Sequence, residues 1–121
     1  MLRLRLPQRL RRLLSSHQEL VADELARDAI ASGATPIAQL SQHQVGTAQG
    51  TVAMLTLNPR SGSAWLEADL NDGTGTLKLI WMGRRVIPGI LPGVKLRVHG
   101  RISLHEGNPA VFNPGYEIVA D

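Results

Sequence analysis

The sequence predicts an all-β domain, a small five-stranded barrel, carried behind a basic arm and one amphipathic helix. Three observations predict it. From Val45 onward apolar and polar residues alternate at the period of a strand, whereas the stretch before it carries helical spacing. Turn-forming Asn, Asp, Gly and Pro residues punctuate that second half at the intervals of short strands. A sheet of five such strands would leave two open edges unless it curled shut, and glycines in its first and fourth strands permit the coiling that closure needs. At 121 residues, 43% hydrophobic and 19% charged, the chain has room for one domain plus an arm and enough apolar sequence for a core.

The elements follow in order. Residues 1–44 are read as basic arm, amphipathic helix and linker, and residues 45–121 as the barrel. In the arm, Arg3, Arg5, Arg9, Arg11 and Arg12 place five positive charges and no negative ones. Ser16-His17-Gln18-Glu19 has the form of a capping box, in which the serine hydroxyl and the glutamate carboxylate satisfy each other's backbone N–H. A helix of about fifteen residues is expected after it. Leu20, Val21, Leu25, Ala29 and Ile30 form its apolar stripe, and Asp23, Glu24, Arg27 and Asp28 its wet face. Gly33 ends it, and Ala34 to Gln44, polar and containing Pro36, is read as a linker.

The first strand is expected from about Val45 to Leu57, with Gly46 and Gly50 marking a bulge or tight coiling. Asn58 to Gly62 is its exit loop. The second strand, Ala64 to Leu70, sets Ala64, Leu66, Ala68 and Leu70 on one face and Trp65, Glu67 and Asp69 on the other. Asp72-Gly73 carries a type I′ signature and leads into a third strand, Thr76 to Met82. Between Arg84 and Leu91, closed by Pro88-Gly89 and Pro92-Gly93, a helical turn or two is expected. Val94, Leu96 and Val98 then alternate with Lys95, Arg97 and His99, and Ile102 and Leu104 resume the pattern after Gly100. Glu106-Gly107-Asn108 is a hairpin loop, and the last strand runs from Ala110 to Val119 around a kink at Asn113-Pro114-Gly115.

Composition removes several function classes. Zero cysteines exclude disulfides, thiolate nucleophiles and cysteine-based zinc sites. No run of about eighteen apolar residues is present to form a membrane-crossing helix. Only Leu13 and Leu14 follow the basic start, too little for the apolar core of a signal peptide, so a cytoplasmic protein is the expectation. His17, His43, His99 and His105 are scattered without carboxylates at ligand spacing, so neither a metal nor another cofactor is expected. Gly73-Thr74-Gly75 lies between strands rather than before a helix, and no serine sits in a nucleophile elbow. A non-enzymatic protein is the reading.

The order β-β-β-α-β-β matches the OB-fold, a five-stranded Greek-key barrel. Residues 50–117 also resemble the nucleic-acid-binding OB-fold superfamily, most closely the wedge domain of RecG-type DNA helicases. The resemblance lies in Leu70-Asn71-Asp72-Gly73-Thr74-Gly75 leading to Leu77-Lys78-Leu79-Ile80-Trp81, in Leu91-Pro92-Gly93, in Val98-His99-Gly100-Arg101 and in Asn113-Pro114-Gly115-Tyr116-Glu117. It covers a little over half of the chain. These are turn and core residues, so they specify scaffold more than ligand. There is no P-loop sequence, and the helicase motor has no counterpart here.

The resemblance implies binding of single-stranded or branched DNA, more readily than RNA, across strands two and three and the loops flanking them. The candidate contacts are Arg60 in the first loop, Trp65 and Lys78 on the sheet, Trp81, Arg84 and Arg85 after strand three, Arg97 and Arg101 on strand four, and Arg9, Arg11 and Arg12 in the arm. Bases need exposed rings, and phosphates need cations. Trp65 fits by alternation. Trp81 shares the parity of Leu77 and Leu79, which also suits a core plug. Glu67 and Asp69 share the Trp65 face, and carboxylates repel phosphate. Over residues 45–121 the net charge is only +1, so strong binding needs clustered cations. The competing expectation is a protein-interaction or oligomerisation module, a homodimer among its forms, docking through Leu20, Val21, Leu25 and Ile30.

Overall fold

The computed structural model describes residues 20–24, 27, 33–60, 63–84 and 86–120, and at 58–60 and 63 the backbone. The described residues form an all-β structure, a seven-stranded mixed sheet. Its strands are β1 (Val45–Arg60), β2 (Ser63–Asn71), β3 (Thr76–Met82), β4 (Lys95–Arg101), β5 (Ser103–His105), β6 (Asn108–Phe112) and β7 (Gly115–Ile118). They lie side by side in the order β5-β6-β3-β2-β1-β4-β7.

The first strand organises the sheet. Its opening half pairs with β4 (Val45↔Arg101 to Thr51↔Lys95) and its second half with β2 (Thr51↔Asn71 to Arg60↔Ser63), both antiparallel. One strand can serve two neighbours in succession only if it bends. A register shift, the mark of a bulge, falls between Val52 and Met54 rather than at Gly46 or Gly50. There the Val52 N–H donates to the Val94 carbonyl, and the Val52 carbonyl accepts from Gly93. The strand changes partner at that point.

Seven strands replace the expected five because the two last strands are each divided. Ile102 separates β4 from β5, and its backbone bonds to the 43–44 loop: its N–H donates to the Gln44 carbonyl and its carbonyl accepts from His43. The kink expected at Asn113 to Gly115 separates β6, parallel to β3, from β7, antiparallel to β4. Since β4 and β5 are one residue apart in sequence yet on opposite sides of the sheet order, the sheet is strongly rolled. The same roll brings Gly100 of β4 so close to Val111 of β6 that a Cβ at Gly100 would lie 2.6 Å from the valine methyl.

The helix expected between β3 and β4 is replaced, among the described residues, by two successive tight turns. Ile90 N–H donates to the Ile87 carbonyl and Val94 N–H to the Leu91 carbonyl, at 3.2 and 3.1 Å. Each turn is X-Pro-Gly-X with its glycine at positive φ, +81° at Gly89 and +90° at Gly93, which is the chemistry of a type II turn. Proline presets the second position and glycine alone enters the third without strain, so the turns outcompete a helix. Ile87 and Ile90 are thereby pointed into the core.

Residues 71–76 also differ from expectation. The ladder ends at Asn71↔Thr76, so Asp72 to Gly75 form a four-residue loop instead of a two-residue type I′ turn. The type I′ geometry occurs at Glu106-Gly107, where both residues have positive φ (53° and 82°) and His105 pairs with Asn108. The segment read as a linker is packed. A 3₁₀ turn at Ile37–Gln39 places Ile37, 3% exposed, against the core, and Asp72 accepts its N–H at 2.8 Å. Residues 20–24 and 27 are helical, with Ala22 backed against Gly73, while the rest of the expected amphipathic helix and its capping box lie outside the described residues. The core itself is aliphatic, with Leu70, Leu77, Leu79 and Leu96 fully buried and Trp81 closing one side.

Candidate nucleic-acid interface

Two groups of polar and aromatic side chains stand on the outer face of the sheet. The first is built on β2, β3, β5 and β6. The alternation of β2 sends Leu66, Ala68 and Leu70 inward and leaves Trp65 outward, half-buried. Its indole meets the His105 ring edge-on, centroids 5.9 Å apart, and His105 meets Phe112 in the same way at 6.1 Å. Three strands thus contribute one aromatic row. Ile80, between Glu67 of β2 and Phe112 of β6 in register, is fully buried outside the main core, as is Ala110. Met82, paired with Trp65, lies beside the row at 52% exposure.

The backbone brings two arginine positions to one end of the sheet. β1 finishes at Arg60, opposite Ser63, and β3 finishes at Met82, after which the Gly83 N–H donates to the Ala64 carbonyl and Arg84 follows, exposed. The backbone therefore places Arg60 and Arg84 at the end that carries Trp65. The middle of the face is different. Lys78 Nζ lies 3.4 Å from Glu67 Oε2 and 3.9 Å from Asp69 Oδ1, so this lysine is compensated by two carboxylates. A polar cleft of about 210 Å³, lined by Asp69, Thr76, Lys78, Asn108 and Pro109, continues from there.

Trp81 joins none of this. It is 4% exposed, shares the inward face with Leu77 and Leu79, donates from Nε1 to the Pro114 carbonyl at 3.3 Å and packs edge-on against Tyr116. The expectation of a base platform at Trp81 is corrected accordingly: its ring faces are consumed by packing. Arg97 and Arg101 lie on the outer face of β4, separated from the aromatic row by β1. There Arg97 donates from Nε and Nη2 to Gln49 Oε1, both at 3.2 Å, and His99 Nδ1 lies 2.6 Å from Thr47 Oγ1. Arg101 is exposed at the strand end, opposite Val45. Arg9, Arg11, Arg12, Arg85, Leu25 and Ile30 lie outside the described residues, whereas Leu20 and Val21 are exposed at 57% and 45%.

Sequence reasoning missed His105 and Phe112 as members of the interface. The signal was present in part, since Phe112 shares strand parity with the buried Ala110, but the row is assembled by a parallel pairing that no local pattern announces. Asp72 is fully buried and accepts from Ile37 N–H, Thr74 N–H, Thr74 hydroxyl and Gly75 N–H. It holds the loop together instead of facing a ligand. Among the described residues, no three His, Asp or Glu side chains come together as a metal would need, and no helix is long and apolar enough to cross a membrane. No family model and no curated protein matches this sequence.

Proposed function

We propose that this chain is a non-enzymatic, cytoplasmic nucleic-acid-binding protein of OB-fold architecture, taking single-stranded or branched DNA across the β2–β3 face. The strand arrangement supports the fold: β1 is shared between β2 and β4, β3 runs parallel to β6, and Ile102 links the two sides of the sheet order, as closure into a barrel requires. Taking β4 with β5 and β6 with β7 as continuous strands gives the five of that fold. The resemblance to RecG-type wedge domains bears on this scaffold.

The observation that carries the function is the aromatic row Trp65–His105–Phe112 beside the end of the sheet where Arg60 and Arg84 emerge. Rings offer sequence-tolerant stacking and the arginines meet phosphates, the two ingredients of single-strand binding. The carboxylates Glu67 and Asp69 then steer the strand toward the arginine end. A labelled oligodeoxynucleotide titrated at low and moderate salt tests this. Binding that weakens with salt and falls on replacing Arg84 and Arg85 by Ala is expected; no binding at low salt overturns the reading. Comparison with the matching oligoribonucleotide ranks DNA against RNA, since the 2′-hydroxyl is the chemical difference.

The exposure of Leu20 and Val21 favours a second reading, a protein-interaction module that pairs two copies through the helix. Sedimentation across a concentration series decides it: a monomer throughout removes self-association. A dimer would align two binding faces and raise avidity for one strand.

A further inference from the structure

The outer face of β4 carries a cleft of about 430 Å³ lined by Thr47, Arg97, His99, Gly115, Tyr116 and Glu117. It lies across β1 from the aromatic row and shares no residue with it. Two independent observations mark it as built for a ligand. First, its basic side chains are held in place. Gln49, 4% exposed, accepts from both Nε and Nη2 of Arg97 and so fixes the plane of the guanidinium. Two residues earlier, Thr47 meets His99 Nδ1, and the pairs Thr47↔His99 and Gln49↔Arg97 are direct register partners. When Nδ1 accepts from the threonine hydroxyl, the ring N–H sits on Nε2 as a donor. Side chains on an exposed strand face ordinarily keep their rotamer freedom; here each basic group has a neighbour devoted to orienting it.

Second, Gly115 is unexplained by the fold. It pairs with His99, so a side chain there would rise on the His99 face, the face of the cleft. Its φ is outside the left-handed region, and an added Cβ would meet only the His99 carbonyl oxygen, at 3.8 Å, an ordinary contact. Neither backbone conformation nor crowding asks for glycine at this first position of β7. What the missing side chain leaves is space.

We propose that this cleft binds a phosphate ester that also carries a hydroxyl donor, the chemistry of a ribonucleotide: the phosphate lies against Arg97 and His99, and a hydroxyl donates to Glu117. The source is a free mononucleotide or one nucleotide of a longer strand. Guanidinium and imidazole N–H groups suit phosphate oxygens, while a carboxylate, which repels phosphate, suits the sugar hydroxyls. The volume falls in the ordinary range of small-ligand sites.

The test is a titration of the full chain with AMP, with inorganic phosphate and with an oligoadenylate, followed by amide chemical shifts. AMP is expected to shift Arg97, His99 and Gly115 at low millimolar concentration. Gly115→Val, which fills the cleft, and His99→Ala, at an exposed position, are each expected to weaken that response at least tenfold. The melting temperature of Gly115→Val is expected to be unchanged or raised, since a β-branched residue suits a strand. Oligoadenylate shifting the same amides identifies the strand as a source, and AMP acting alone identifies the free nucleotide. No shift at these amides by roughly ten millimolar AMP, or a response unaffected by both variants, overturns the proposal. Inorganic phosphate binding as tightly as AMP overturns the role of Glu117. The AMP response is expected to persist in Trp65→Ala, so this site and the aromatic face fail separately.

Discussion

At the scale of residues, the two tryptophans, on neighbouring strands, have opposite duties. Trp81 fills the core with its N–H satisfied by Pro114, so Trp81→Ala leaves a cavity and an orphaned carbonyl, and should cost about 3–5 kcal/mol in urea denaturation. Trp65 is half-buried on the outer face; Trp65→Ala should cost less than about 2 kcal/mol of stability and weaken oligonucleotide binding roughly tenfold. A pair of measurements on each variant, melting and binding, separates the two roles. Asp72 makes the largest prediction of any polar residue. Its carboxylate is fully buried and is held by four donors, one of them 35 residues away on Ile37. Asp72→Ala strands these groups and should destabilise by about 2–4 kcal/mol, with Asp72→Asn recovering part of the loss because its amide oxygen still accepts. Equal stability of Asp72→Ala and the parent would refute this account of the loop.

At the scale of elements, turn chemistry decides more than propensity. The Pro-Gly pairs at 88–89 and 92–93 were visible as punctuation, yet the stretch from Arg84 to Leu91 has the length of a helical turn or two; what settles it is that Gly89 and Gly93 both occupy positive φ. The hairpin at Glu106-Gly107 is the reverse case, a type I′ turn with a glutamate at φ 53°, which an L side chain enters at a cost. Glu106→Asn should therefore stabilise the protein by about 0.5–1 kcal/mol, since Asn tolerates the left-handed region; a fall in thermal midpoint would contradict it. Strand existence and face assignment were legible for β2 and β3, whose alternation matches the buried positions Leu66, Ala68, Leu70, Leu77, Leu79 and Trp81. The division of the last two strands was not legible. Ile102 breaks the ladder because the 43–44 loop takes its N–H and carbonyl, a contact across more than fifty residues.

At the scale of the whole molecule, the chain carries +3 with five arginines in its first twelve residues, so its affinity for a polyanion depends on which cations share one face. If Arg60, Arg84 and Arg85 alone meet a single strand, the logarithm of the binding constant should fall with that of salt at a slope of roughly −2; engagement of the arm would steepen it toward −5 or beyond. Removing residues 1–12 and repeating the salt series measures the difference, and an unchanged slope excludes the arm. The sequence alone determined that this protein is predominantly β, which residues of strands two and three share a face, and that cysteine and P-loop chemistry are absent. Those properties are local: alternation, turn residues and composition act within a few positions of each other. Only the tertiary structure decided that Trp65, His105 and Phe112 share a row, that Ile37 and Asp72 knit the supposed linker to the sheet, and that Gly115 leaves room opposite His99. Each of these joins residues dozens of positions apart through strand pairing, and pairing register is fixed by the packing of the whole core rather than by any segment read singly.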